Sequence, residues 1–197
     1  GDNTGYSSGT YGAITWANLV NATAAGSGGI TKTSGTTGFW NARANAATVA
    51  AAGNASIRWT QGAGASMVGF ATTLTPGQTL PNPYDQIPFA ILCNLNSVPG
   101  QESKNAIQMS LGGSNNSYDV GTWAPGDVFE VEIRDGVFRA WQNGMELTNF
   151  IIPVPAYPLY VTWMGYTTSA GITAASYATG ANTGSEPSVS DAGGLLL

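Results

Sequence analysis

The chain has 197 residues, with 27 glycines, 9% charged residues and a formal net charge of −5 from six basic and eleven acidic side chains. Average soluble proteins carry about 25% charged residues; so little charge suits an exterior that is covered by other chains, because few ions must be desolvated there. Six scattered Lys and Arg cannot form the basic patch that nucleic acid or an anionic membrane requires, and no apolar run reaches the length of a membrane span.

In chain order, short apolar runs alternate with turn signals rich in Gly, Ser, Thr and Asn, a pattern that predicts an all-β protein with one sizeable core. Residues 1–12 read as an N-terminal arm that begins at Gly1 without an initiator Met, expected of a processed form or part of a longer precursor. The alanine-rich Ala42–Ala52 is the best helical alternative, weakened by Thr48, Val49 and Gly53. Cys93 lies in the apolar run IPFAILCNL and reads as a small buried residue. Pro/Asn-rich stretches follow at Leu74–Pro88 and Asn94–Lys104.

The stretch Gly126–Gly144, GDVFEVEIRDGVFRAWQNG, carries the sharpest signal. Asp135-Gly136 and Asn143-Gly144 are two-residue hairpin dipeptides between alternating runs, which predicts a three-stranded meander. The register follows: Ile133 opposite Phe138, Val131 opposite Ala140, Glu132 opposite Arg139, Glu130 opposite Trp141, and Trp141 opposite Glu146. Phe129, Val131, Ile133, Phe138, Ala140 and Leu147 then form a core face. Glu130, Glu132, Arg139, Trp141 and Glu146 share the other face, where a ring between acids needs a ligand or a covering layer.

That meander resembles the late hairpin of bacterial and phage-type concanavalin A-like lectin/glucanase domains and their SPRY-like relatives. ITWANLV (Ile14–Val20) resembles their opening strand, ITKTSGTTGFWNARA (Ile30–Ala44) their threonine-lysine strand and tryptophan-asparagine pair, and YPLYVTW (Tyr157–Trp163) their closing strand. The resemblance implies a two-sheet antiparallel jelly-roll sandwich over 13–168, most often a non-catalytic binding module. Arg43, where the family usually has a small residue, departs from it.

Several chemistries are excluded. The chain has no His, which removes Ser-His-Asp and Cys-His catalysis, His-containing zinc sites and the calcium/manganese pair of legume lectins. Asp85, Asn94, Asn96 and Asp119 are scattered calcium candidates read as loop residues, so no metal or cofactor is expected. Glu130, Glu132 and Asp135 match the acid-x-acid-x-x-acid spacing of retaining glucanases on this fold. However, Asp135 belongs to the turn, and Glu132 is expected to pair with Arg139 and stay ionised, so no enzyme is expected. Trp141 with Glu130 and Glu146, and Trp40 with Asn41, are the carbohydrate-binding candidates. Trp16, Trp59 and Trp163 read as core, and Trp123 as a cap on the sandwich. Asn21, Asn54 and Asn115 are glycosylation sequons.

Residues 169–197 read as a low-complexity C-terminal arm ending in Leu195, Leu196 and Leu197, expected to anchor on a neighbouring copy; the alternative is that the two arms wrap their own sandwich and cover the Trp141 face. The sequence therefore predicts a non-enzymatic structural or adhesive subunit of a repetitive extracellular or virion-surface assembly. Its partners would be copies of itself and surface glycans, without nucleic acid or membrane. A discrete lectin module is the alternative, and a glycoside hydrolase the third.

Overall fold

The computed structural model describes residues 10–49, 53–73, 87–95, 106–111, 117–147, 152–153 and 157–179. Among them there is no helix. The strands, in chain order, are β1 (Gly12–Ala13), β2 (Ala17–Val20), β3 (Ala22–Ala25), β4 (Gly29–Lys32), β5 (Ala42–Val49), β6 (Ala55–Gln61), β7 (Ser66–Ala71) and β8 (Phe89–Asn94). They continue as β9 (Ala106–Leu111), β10 (Ser117–Thr122), β11 (Val128–Arg134), β12 (Val137–Gln142), β13 (Met145–Glu146), β14 (Ile152–Pro153), β15 (Leu159–Gly165) and β16 (Gly171–Thr179). The alanine-rich segment is strand β5, so the helical alternative fails.

The strands form two antiparallel sheets. Sheet A runs β13-β12-β11-β6-β16-β4-β3, with β14 beside β12 and β1 beside β16; sheet B runs β10-β9-β8-β7-β15-β5-β2. Between them lies the main core, to which Ile57, Trp59, Phe129, Val131, Ile133 and Phe138 contribute from sheet A and Val68, Phe70, Phe89, Ile91, Val161 and Trp163 from sheet B. Trp16 and Trp123 close it, each donating its indole N–H to a backbone carbonyl, of Gly28 at 2.8 Å and Asn94 at 2.9 Å. Cys93 is buried in the same core, and burial pushes its thiol pKa well up.

The meander has the expected register at every pair, from Ile133 opposite Phe138 to Trp141 opposite Glu146. Both turns have the positive φ that a two-residue hairpin needs, at Asp135 (50°), Gly136 (75°), Asn143 (50°) and Gly144 (79°). Asp127 braces the second turn. Burial alone would raise its pKa, but hydrogen bonds from Asn143, the Ala124 N–H and Gln142 outweigh that and hold it below the usual value.

A second, smaller core lies on the far side of sheet B. Met67, Ala71, Ala90, Leu92 and Met164 alternate with residues of the main core, so they face outward from the sheet. They are nonetheless fully buried, with Ile87 and the half-buried Trp40 packed among them. The centre of sheet B, where β7, β8 and β15 lie side by side, is therefore buried on both faces.

The expected boundary at residue 168 is wrong in one respect. Gly171–Thr179 is not part of an arm: β16 lies inside sheet A, bonded to β6 along one side and to β4 and β1 on the other. YPLYVTW contributes β15 to sheet B and is not the closing strand. Its successor carries mostly Ala, Gly, Ser and Thr, but Ile172, Ala175 and Ala178 are buried, and small side chains are what a tightly flanked strand can accommodate. The expected N-terminal arm also gives up Gly12, which joins β1. Leu195, Leu196 and Leu197 lie outside the described residues.

One consequence is measurable. Ending the chain at Thr168 removes β16 and leaves β6, β4 and β1 without their shared neighbour, so the truncated protein is expected to lose its cooperative thermal transition. A sharp transition at the full-length temperature would contradict this placement of β16.

Candidate functional site

The outer face of sheet A carries a cross-strand row. Ser176, Arg58, Glu130, Trp141 and Glu146 lie side by side on β16, β6, β11, β12 and β13. Each occupies the alternate phase to the core residues Ile57, Trp59, Phe129, Val131 and Ala140. A second row, Ala178, Ser56, Glu132 and Arg139, runs beside it.

Glu130 is 5% exposed, and both its oxygens are engaged. Oε2 accepts from Arg58 Nη2 at 2.8 Å and Nε at 3.1 Å, and Oε1 accepts from the Tyr11 hydroxyl at 2.7 Å. The Arg58 guanidinium in turn lies over the Tyr11 ring, 4.5 Å from its centre, a cation–π contact. Tyr11, next to the β1 strand that pairs with β16, thus lies across the acid and its base as a partial lid.

Glu132 departs from expectation. Arg139 does sit opposite it, yet the ion pair forms with Arg134 on the same strand, at 3.0 Å. Residues two apart on a strand share a face, which permits that reach. Burial dominates: it lifts the Glu132 pKa to about 7, with the nearby Glu130 charge adding to the rise and Arg134 and Arg139 opposing it. Its Oε1 is buried with no hydrogen-bond partner. The carboxyl is therefore not held ionised across neutral pH, correcting the sequence-based expectation.

Trp141 is only 3% exposed, and its indole N–H is buried without a partner. It offers no open ring for stacking. Beside it is a depression of about 310 Å³ lined by Arg58, Val128, Glu130, Trp141, Asn143 and Gly144. Glu146 is half-buried opposite Trp141.

Trp40 and Asn41 do not join this site. They lie in the loop between β4 and β5, where the Trp40 ring packs on the second core and tilts against Tyr166 at 5.0 Å. Asn41 accepts from the Asn21 side-chain amide through its backbone carbonyl, at 2.8 Å, while its own Oδ1 is buried and unpartnered. The five candidates thus divide between opposite faces of the sandwich.

A residue that pattern reading passed over organises that loop. Lys32, 1% exposed, donates its three ammonium hydrogens to the carbonyls of Thr36, Phe39 and Tyr166 at 2.8, 2.9 and 2.9 Å. Burial lowers its pKa. The adjoining loop presents Phe39 at 61% exposure.

Two sequons are structurally occupied: the Asn21 amide binds the Asn41 carbonyl, and the Asn54 side chain bonds both the backbone N–H (2.8 Å) and the carboxylate (3.4 Å) of Asp135. Asn115, like Asp85 and Asn96, lies outside the described residues. Asn94 Oδ1 accepts from the Leu95 N–H, and no metal-ligand cluster occurs among the described residues.

Arg58 and Tyr11 were not singled out from sequence. The alternation in ASIRWTQ puts Arg58 opposite in phase to Ile57 and Trp59, but only the long-range pairing of β6 with β11 brings it to Glu130.

Comparison with solved structures gives the fold its class. The exoplasmic/lumenal domain of VIP36 in its Ca2+/Man3GlcNAc-bound form is 9% identical, with 87% of this chain and 86% of that one covered and a TM-score of 0.55. The PSpry domain of TRIM65 is 10% identical over 86% of this chain and 93% of that one, at a TM-score of 0.50. A human SPRY domain is 10% identical over 80% and 96%, also at 0.50. At such identities the likeness concerns the fold alone: the chain is a concanavalin A-like jelly-roll sandwich. No protein-family model and no curated protein matches the sequence.

Two outcomes test this geometry. A carboxyl whose pKa rises on folding favours the folded state at low pH, an advantage lost as pH climbs from its unfolded value near 4.5 through about 7. Glu132→Gln, always neutral, is therefore expected to melt higher than the native protein at pH 8 and to lose that advantage at pH 4; a difference in melting temperature that does not change with pH would refute the Glu132 assignment.

Lys32→Met, which leaves the Thr36 and Phe39 carbonyls without their donor while the Tyr166 carbonyl keeps the Gly38 N–H at 3.2 Å, is expected to destabilise by about 2–6 kcal/mol in denaturant unfolding, since each buried unsatisfied group costs about 1–3 kcal/mol. Lys32→Arg is expected to rescue little, because a planar guanidinium cannot reproduce the three directions.

Proposed function

We propose that the protein is a non-enzymatic structural and adhesive subunit of a repetitive extracellular or virion-surface assembly. The observation that carries this reading is the internal use of the acid and aromatic groups on the outer face of sheet A. Glu130 is bound by Arg58 and Tyr11, Glu132 by Arg134, and Trp141 is buried beside them. A face whose polar groups hold down the protein's own chain supports shape and attachment before catalysis. The low charge of the exterior agrees with contact between copies.

One observation favours hydrolysis as a second reading: a carboxyl with a raised pKa (Glu132) stands two residues from an ion-paired carboxylate (Glu130), and retaining glycosidases divide their labour between such groups. Against it, both carboxyls are 5% exposed or less, so a glycosidic oxygen reaches neither unless the covering groups move. A third observation, the depression beside Trp141, is the place where weak glycan binding would occur.

The deciding experiment combines reducing-sugar release from β-glucan, laminarin and agarose with sedimentation of the full-length protein. The expected result is no turnover together with concentration-dependent self-association. Turnover abolished by Glu130→Gln would establish the enzyme reading. A protein that stays monomeric at every concentration, yet binds glycan and loses that binding in Val128→Glu at the rim of the depression, would establish the lectin reading.

A further inference from the structure

One lateral side of the sandwich is bounded in both layers by a single continuous run. β2 ends sheet B and β3 ends sheet A, with Asn21, at φ 53°, turning the chain between them. Ala17, Asn18 and Leu19 are exposed on β2, and Thr23, Ala24 and Ala25 on β3. The run carries no charge. Between Asp2 and Lys32 there is no Asp, Glu, Lys or Arg at all.

The backbone of β3 is open along this side. In an antiparallel ladder, residues alternate between exchanging hydrogen bonds with the neighbour and pointing those groups away from it. Thr33 N–H donates to the Asn21 carbonyl at 3.0 Å, which places Asn21, Thr23 and Ala25 in the phase bonded to β4. The N–H and C=O groups of Ala22 and Ala24 therefore point outward, and among the described residues no strand lies beside them. Natural sheet edges are ordinarily guarded by Lys, Pro or a bulge. β2 has such a guard, an irregularity at Ala17/Val20 with Asn18 at φ 51°. β3 pairs regularly over its whole length and has none.

We propose that β3 is the docking edge for β3 of a second copy, paired antiparallel about a two-fold axis through Thr23. Ala22 exchanges both backbone hydrogen bonds with the partner's Ala24, and Ala24 with the partner's Ala22, while Thr23 faces the partner's Thr23. Sheet A then continues across the axis. The occupant is a second copy because, at a two-fold axis, every group meets its own image, so that any charge there meets a like charge. Copies of a chain of net charge −5 repel one another, and this edge adds nothing to that repulsion, since it carries no charge, as residues 59–84 and 147–185 also carry none. The Thr23 side chain points away from the core, its hydroxyl 3.0 Å from that of Thr33, so substitution there spares the interior. This inference rests on the reading of the protein as a self-assembling subunit.

The test is analytical ultracentrifugation of the full-length protein and its variants at low salt. Thr23→Lys and Thr23→Glu are each expected to weaken self-association at least tenfold, and an equimolar mixture of the two to restore it, which also shows that both variants are folded. Ala24→Pro removes only an outward N–H, at a place where an edge strand accepts proline, and is expected to weaken association at all salt concentrations. Thr23→Cys is expected to form a disulfide-linked dimer on mild oxidation, since facing Cα atoms of such a pair lie about 4.5 Å apart, within disulfide range. Ala124→Cys, exposed elsewhere, is not. Self-association unchanged in all the Thr23 and Ala24 variants would overturn the β3 edge and leave the subunit reading standing. A native protein that is monomeric at every concentration would overturn both.

Discussion

Sheet A depends on one strand that nothing local secures. β16 bonds β6 on one side and both β4 and β1 on the other, so without it the sheet separates into a β6–β11–β12 portion and a β3–β4 portion. The fit is close. The register shifts between Thr173 and Ser176, with Ala174 at φ 51°, and there Ile14 N–H reaches the Ala175 carbonyl at 2.9 Å. Gly28 packs against the same carbonyl so tightly that an added Cβ would stand 1.9 Å from the oxygen. Gly28 is thus required twice, for that approach and for its φ of +78°. Most partners of β16 precede it by more than a hundred residues, as with Tyr177 and Ile57, so sheet A can be completed only late, by long-range closure.

Among the described residues, both outer faces of the sandwich carry contacts made by the molecule itself, in different ways. The centre of sheet B is covered by apolar packing around Trp40 and Met164, sheet A by polar contacts in which Tyr11 spans Arg58 and Glu130. The burial of Glu132 to a pKa of about 7 is the electrostatic side of the same covering. With the faces engaged, unsatisfied backbone capacity remains at an edge, and contacts between molecules are naturally sought there.

What was legible in the sequence was local. The Asp-Gly and Asn-Gly turns fix the register of β11–β13 through φ alone, and every pair follows from counting outward. β16 was misread because its buried positions are mainly alanine and the irregularity at Ala174 shifts its two-residue period midway, so neither hydrophobicity nor alternation marks GITAASYAT as a strand. The second core did leave a trace: IPFAILCNL is a continuous apolar run, the pattern of a strand buried on both faces. The Arg58–Glu130–Tyr11 cluster left none, since its members are brought together by pairing across 72 and 119 positions. For Glu132 the opposite residue was right and the chemistry wrong, because desolvation outweighs a neighbouring cation that pairing alone cannot weigh.

The Lys32 clamp separates shape from surface identity. An ammonium bound to three carbonyls reads the path of the backbone and is indifferent to the side chains hung on it. Between Thr33 and Phe39, only Gly35 and Gly38, at φ +80° and +79°, are constrained by the backbone itself. Thr33, Ser34 and Thr37 bond through their side chains to Thr23, Asn21 and the Thr168 N–H, but Thr36 and Phe39 are held only through their carbonyls, so that a lineage can change the chemistry these two show to the surroundings without renegotiating the fold beneath them.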